Sequence, residues 1–237
     1  MNYYDILING ISDELYVSRI INGKSWVAAE LSDGRFGIAM HYTLESRERK
    51  FDTLEGLDAR TAASVVLSWN FQEATEGMAV INAFYNTPEH MDELNAHCSY
   101  NKSCTQGMVT EGKKIALIGH LSLQPDALKG ASEVYIIERE PKPGDYPDSA
   151  CEYILPQCDI VVMTASAAVN KTMPRLIELS KCAKTVIIGP TAPLCPELKT
   201  LGIDRISGLI IRDKETFERW AVENHGSPYP YGDVFMI

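Results

Sequence analysis

A chain of 237 residues with 45% hydrophobic and 23% charged residues is long enough to bury a proper core, as one large domain or two small ones. Its net charge of −10 argues against nucleic acid as a partner, because phosphate backbones attract the opposite sign. No apolar run approaches the roughly 20 residues that cross a bilayer, which argues against a membrane partner, and no basic segment followed by an apolar one opens the sequence, which predicts a cytoplasmic protein.

In chain order, residues 3–15 read as a helix and 16–21 as a strand by alternation. Asn22-Gly23 is a strong hairpin signal, 25–31 is the return strand, Asp33-Gly34 a second turn and 35–40 a third strand. Residues 56–69 and 72–85 carry apolar side chains at helical spacing, completing a β-β-β-α-α module over residues 1–90. Periodicity then disappears into a connecting loop over 91–112, rich in Asn, His, Ser, Thr and Cys. From 113 to 237 strands at 115–118, 134–138, 159–164, 185–188 and 208–211 alternate with helical stretches at 124–129, 150–155, 171–181, 195–200 and 214–224. Such alternation demands a parallel sheet with helices on its faces, a Rossmann-like architecture.

The strand over 115–118 stops at Gly119-His120, and in doubly wound folds ligands collect at such carboxyl ends. Parallel strands present these ends together, so Gly119, Glu138, Thr164 and Gly189 are expected to converge, bringing His120, Asp145, Asp148 and Asn170 to a common space. Glu138 lies nineteen positions after Gly119, the spacing at which an acid meets a ribose, but the second and third glycines of the dinucleotide fingerprint are missing. Asp145 and Asp148, with Glu138 and Glu140, offer hard oxygen ligands, or form a solvated loop bent by Pro141, Pro143, Gly144 and Pro147. Asn170-Lys171-Thr172 stands where a helix should begin, so Asn170 is a simple N-cap, or the helix amides and the Lys171 cation receive a phosphate or carboxylate. Gly189-Pro190-Thr191-Ala192-Pro193 is a rigid strand-end loop, suited to a turn or to a ligand wall. His90, His97, Cys98 and Cys104 include imidazole and thiolate donors, but at spacings unlike a structural zinc site. The six cysteines read as free thiols, with Cys151 and Cys158 packed.

Several phrases together resemble a family of bacterial and archaeal proteins labelled putative heavy-metal chelation. They are Glu138-Arg139-Glu140-Pro141, Gly144-Asp145-Tyr146-Pro147-Asp148, Asn170-Lys171-Thr172 and Gly189-Pro190-Thr191-Ala192-Pro193. Upstream, residues 68–74 and 81–86 resemble that family's N-terminal module, whose fold is similar to the N-terminal domain of enolase. The resemblance covers nearly the whole chain. Leu121 and Ala165 depart from it, where the family more often has an aromatic residue and a glycine. It implies an α/β protein with a small α+β module ahead of the Rossmann-like one and a site in the cleft between them, where Glu73 and Asn82 face the strand-end motifs. The expected ligand-binding set adds Lys171, Thr172 and Pro190, and the expected metal ligands are His120, Asp145 and Asp148, for a divalent transition metal ion. Two functions follow: metal or metal-chelate binding, or an enzyme that binds a nucleotide or other small anionic ligand at the strand ends. No nucleophile arrangement is identifiable from spacing. The number of subunits stays open, a homo-oligomer included.

Overall fold

The computed structural model describes residues 2–42, 47–99 and 102–237. Helix α1 (Tyr3–Asn9) begins at a capping box in which Asn2 and Asp5 satisfy each other's backbone amides, and it ends at Gly10 instead of continuing to residue 15. Strands β1 (Val17–Asn22), β2 (Trp26–Leu31) and β3 (Phe36–Met40) form the expected antiparallel meander. The first hairpin closes through Gly23 N–H donating to Trp26 O at 3.0 Å, so Asn22-Gly23 is not a two-residue turn. A glycine is needed at 23 for another reason: a Cβ there would lie 2.5 Å from the carbonyl oxygen of Ala221 in the last helix.

Helix α2 (Ala59–Ser64) tightens into a 3-10 turn at Val65–Leu67, and α3 (Phe71–Tyr85) follows, capped by Asn70. Almost every side chain of α3 is buried, as befits a helix packed on the meander on one side and on α2 and its 3-10 turn on the other, with its C-terminal end against the second module. A short helix α4 (Pro88–Glu93), capped by Thr87, occupies the start of the segment expected to be loop.

The second sheet has seven strands. They are β4 (Lys114–Ile118), β5 (Glu133–Glu138), β6 (Tyr146–Pro147), β7 (Ile160–Thr164), β8 (Lys184–Ile188), β9 (Arg205–Ile211) and β10 (Gly232–Met236). Their spatial order is β6-β5-β4-β7-β8-β9-β10, all parallel except β10, which runs antiparallel to β9. Counted from β4, this is the 3-2-1-4-5-6 order of a Rossmann fold with one added edge strand. The connections leaving β4 and β7 depart in opposite directions and open a crevice between those two strand ends.

The helices of this module are α5 (Cys151–Ile154), α6 (Met173–Leu179) and α7 (Lys214–Glu223). Residues 124–129 are turns instead of the expected helix, since Pro125 and Gly130 bracket too few residues to nucleate one. Residues 195–200 form a 3-10 helix over Pro196–Leu201. Helix α6 starts at Met173, two residues later than expected, because Lys171 adopts a left-handed conformation at φ 69°.

One buried cluster runs through both modules, from Tyr3, Leu7 and Met78 to Ala116, Val161, Met163, Ile187 and Ile206. The opposite face of the sheet, carrying Ile115, Leu117, Ile160, Val162 and Val186, is covered by the segment around Cys104 and Ala127. Two asparagines of the α3 end fasten the modules. Asn82 Nδ2 donates to Ile38 O and to Thr191 O, and Asn86 donates to Ala192 O at 2.9 Å while accepting from Leu194 N at 2.8 Å. Among the described residues no helix is long and apolar enough to cross a membrane.

Candidate functional site

The crevice starts at Gly119, whose φ of 98° lets the chain turn off β4. A Cβ there would stand 3.3 Å from Thr164 Cγ2 at the end of β7, so the two strand ends meet over a backbone without a side chain. The next residue ties three segments together. His120 N–H donates to Glu138 Oε1 at 2.7 Å, its Nδ1 lies 3.1 Å from the same oxygen, and its Nε2 lies 3.1 Å from Asp145 Oδ2. A neutral imidazole carries one N–H, so only the imidazolium donates to both carboxylates at once. Asp145 is held in turn by Lys142 N–H, and its side chain is only 7% exposed.

On the other side of the crevice, Thr164 Oγ1 is 2.7 Å from Ser166 Oγ. Asn170 does not cap α6. Its Oδ1 accepts from the amide and the hydroxyl of Thr172, which builds the turn ahead of the helix. Lys171 Nζ donates to Val169 O at 2.8 Å and stands 5.4 Å from the Phe71 ring of the first module. Burial lowers its pKa to about 8.

Between these elements lies a cavity of about 280 Å³. Its floor is apolar, from Ile118, Ile137, Ala167, Leu176 and Leu179, with the Cys151 thiol pushed up to about 11 by burial and therefore inert. Its rim is polar and charged: Glu138, Arg139, Asp148, Ser149, Glu152, Thr164, Asn170, Thr172 and Arg175, with Tyr42 closing it from the first module. Arg175 makes a bidentate pair with Glu152 at 2.9 and 2.6 Å, which holds the Glu152 carboxyl below its ordinary range. Arg139 Nε is 3.8 Å from Asp148.

The structure thus brings Gly119, Glu138, Asp148, Thr164, Asn170 and Thr172 around one cavity, with His120 bonded to its Glu138 wall and Asp145 bonded to His120. The expected convergence fails for Gly189, which lines a different cavity beyond β8. Neither Pro190 nor Lys171 is part of the first cavity's lining. Glu73 and Asn82 are fully buried. Glu73 Oε1 accepts from Lys50 N at 2.8 Å and Phe51 N at 3.0 Å, so the α3 acid orders a neighbouring segment. Tyr42, which among the described residues brings the first module to the cavity, and Arg175 were not singled out from the sequence, where neither belongs to a strand-end motif. His90, His97, Cys98 and Cys104 do not assemble, and none of the six cysteines is paired. Among the described residues no group of three or more His, Cys, Asp or Glu side chains is placed to hold a metal ion. Near the cavity these donors are instead bonded to one another.

The sheet thus has the Rossmann strand order, with an apolar-floored, polar-rimmed cavity at its crossover. The chain belongs to the family described as putative heavy-metal chelation, which it matches over residues 106–233, and again over residues 4–85 through a second family model of the same description. Two solved structures of family members of unknown function resemble it along nearly their whole length. That from Desulfitobacterium hafniense is 34% identical with a TM-score of 0.86, covering 99% of this chain and 96% of the other. That from Pyrococcus horikoshii is 25% identical with a TM-score of 0.78, covering 99% and 97%. An uncharacterized protein of Methanocaldococcus jannaschii is 30% identical over 156 residues, 62% of this chain and 58% of that relative.

Proposed function

We propose that the protein binds a metal presented within a small organic chelate, seated in the cavity at the β4–β7 crossover, in the cleft between modules that divide at residues 1–90 and 113–237. The observation that carries this reading is the cavity itself. An apolar floor with Arg139, Arg175 and the Asn170 amide at its rim suits an organic anion, whose carboxylates would displace Glu152 and Glu178 from Arg175, whereas imidazole and carboxylate groups bonded to each other do not suit a bare ion. The arginines face the carboxylates of the chelator, and Asp148 and Glu138, the latter backed by the His120–Asp145 pair, are the lining carboxylates offered to a metal carried in from outside. A nucleotide at the same strand ends is the second reading, favoured by the strand order and by Glu138 at the end of the second strand of the unit.

Titration calorimetry with manganese citrate, free manganese and free citrate tests the first reading. The complex should bind more tightly than either component, and Arg175→Ala should weaken it by about tenfold, the ordinary worth of a charge-assisted pair. Binding of a nucleoside diphosphate with no response to manganese citrate would transfer the site to the second reading.

A further inference from the structure

The seven-stranded sheet carries a second cavity of about 260 Å³ at the same carboxyl edge but on the opposite face. Strand alternation fixes the side. Ile188 and Leu123 in its wall pack with Ile115, Leu117 and Val186, whereas Ile118 and Ile137 of the first cavity belong to the other face. The β4–β5 connection separates the two, giving Gly119 to the first and Ser122 and Gln124 to the second.

The charge of this second cavity is unlike that of the chain. The sequence has 32 acids against 22 bases, yet the described lining contains Lys102 and no Asp or Glu. Neutral donors complete the wall: the hydroxyls of Ser122, Ser207 and Tyr229 and the amide of Gln124, while the Ser99 hydroxyl donates to Val234 O. Burial raises the Tyr229 pKa, so its phenol keeps its proton. Ser207 is 8% exposed, and among the described residues its hydroxyl has no hydrogen-bonding partner within the protein; the side chains of Ser122, Gln124 and Lys102 have none either, and these three are exposed to solvent at the cavity mouth. At Gly189 the wall is bare backbone. With φ at 118° the position requires glycine, and a Cβ built there would meet no atom within 4 Å, so the space beside it is open.

We infer that this second cavity is a binding site for the phosphoryl group of a small phosphorylated molecule, with Lys102 as its cation and the hydroxyls of Ser122 and Ser207 as its neutral donors. The chemistry follows from the lining. A cation without a carboxylate beside it, surrounded by hydroxyl and amide donors, is complementary to an oxyanion and would be a poor host for a cation. Donors arriving from four separate segments suit the tetrahedral spread of phosphate oxygens better than the plane of a carboxylate.

Pyrophosphate is the probe, followed by ³¹P resonance and by calorimetry at low salt on the whole chain, with acetate as the carboxylate control. Wild-type protein should bind pyrophosphate and not acetate. Lys102→Ala should weaken binding at least about tenfold and Ser207→Ala severalfold. Arg175→Ala, in the first cavity, should leave it unchanged, so that this site and the chelate reading stand or fall separately. The inference is overturned if the wild type does not bind pyrophosphate, if acetate binds as well, or if Lys102→Ala and Ser207→Ala, both folded by circular dichroism, bind it unchanged.

Discussion

Lys171 combines two unfavourable features at one residue. A side chain other than glycine at φ 69° costs roughly 1–2 kcal/mol, and burial disfavours its charged form. Replacement by glycine should therefore raise stability by about 1 kcal/mol at neutral pH, read as an increase in the urea midpoint. The pH dependence has a definite sign. With the folded pKa near 8 and the unfolded value near 10.4, the unfolded chain holds more protons between these limits. Lysine's contribution is thus most favourable above about pH 10.4 and is lost as pH falls through 8. Lys171→Met should accordingly be more stable than wild type at pH 7, and the gap should narrow by pH 10; a gap independent of pH would mean that the amine is solvated in the folded protein. Gly119 was legible in the sequence because an apolar run ends on it, and a buried strand must stop where the chain turns to its ligand edge. Tyr42 and Arg175 were not legible, since their place at the cavity depends on how distant elements pack.

Elements followed the same division. The five strands read from apolar runs are all present, four of them largely buried, and β5 is marked by its apolar run although only Ile137 in it is buried. The two missed strands lie at opposite edges: β6 has two residues and contains proline, and β10 runs antiparallel to β9 with a single bridge, Cys98 to Phe235, on its other side. The expected helices that became turns or 3-10 segments lie next to Pro125, Pro196 or a left-handed residue, where local backbone chemistry outweighed a weak periodicity. Helix α3 was legible as a helix, but its role as a fastener was not. Asn86 bonds to both Ala192 and Leu194 of the strand-end loop, and all of these groups are buried. Asn86→Ala leaves a buried carbonyl and a buried amide unpaired, so it should cost about 2–4 kcal/mol, lowering the urea midpoint with little change in slope. A loss below about 0.5 kcal/mol would show that the loop is held by other contacts.

At the scale of the whole molecule, the two modules share one core and the cavity depends on both. Tyr4 donates from α1 to Ala168 at 2.7 Å, behind the β7 end, and Tyr42 closes the rim from beyond β3. The sequence showed two patterns, a meander with helices and a parallel α/β sheet, and so located the crossover. It could not show that the strand ends divide between two faces, because alternation gives sides only once the register and the partner strands are known. That division separates Gly189 from Gly119 and gives the molecule two cavities of different charge. The central claim is that the β4–β7 cavity receives the metal in chelated form. Paramagnetic broadening of amide resonances by manganese citrate tests it most directly. The account predicts broadening centred on Gly119, Thr164, Asn170 and Thr172, absent with an equal concentration of diamagnetic magnesium citrate and much weaker with free manganese. Broadening centred elsewhere on the molecule, or equally strong with the free ion, would contradict it.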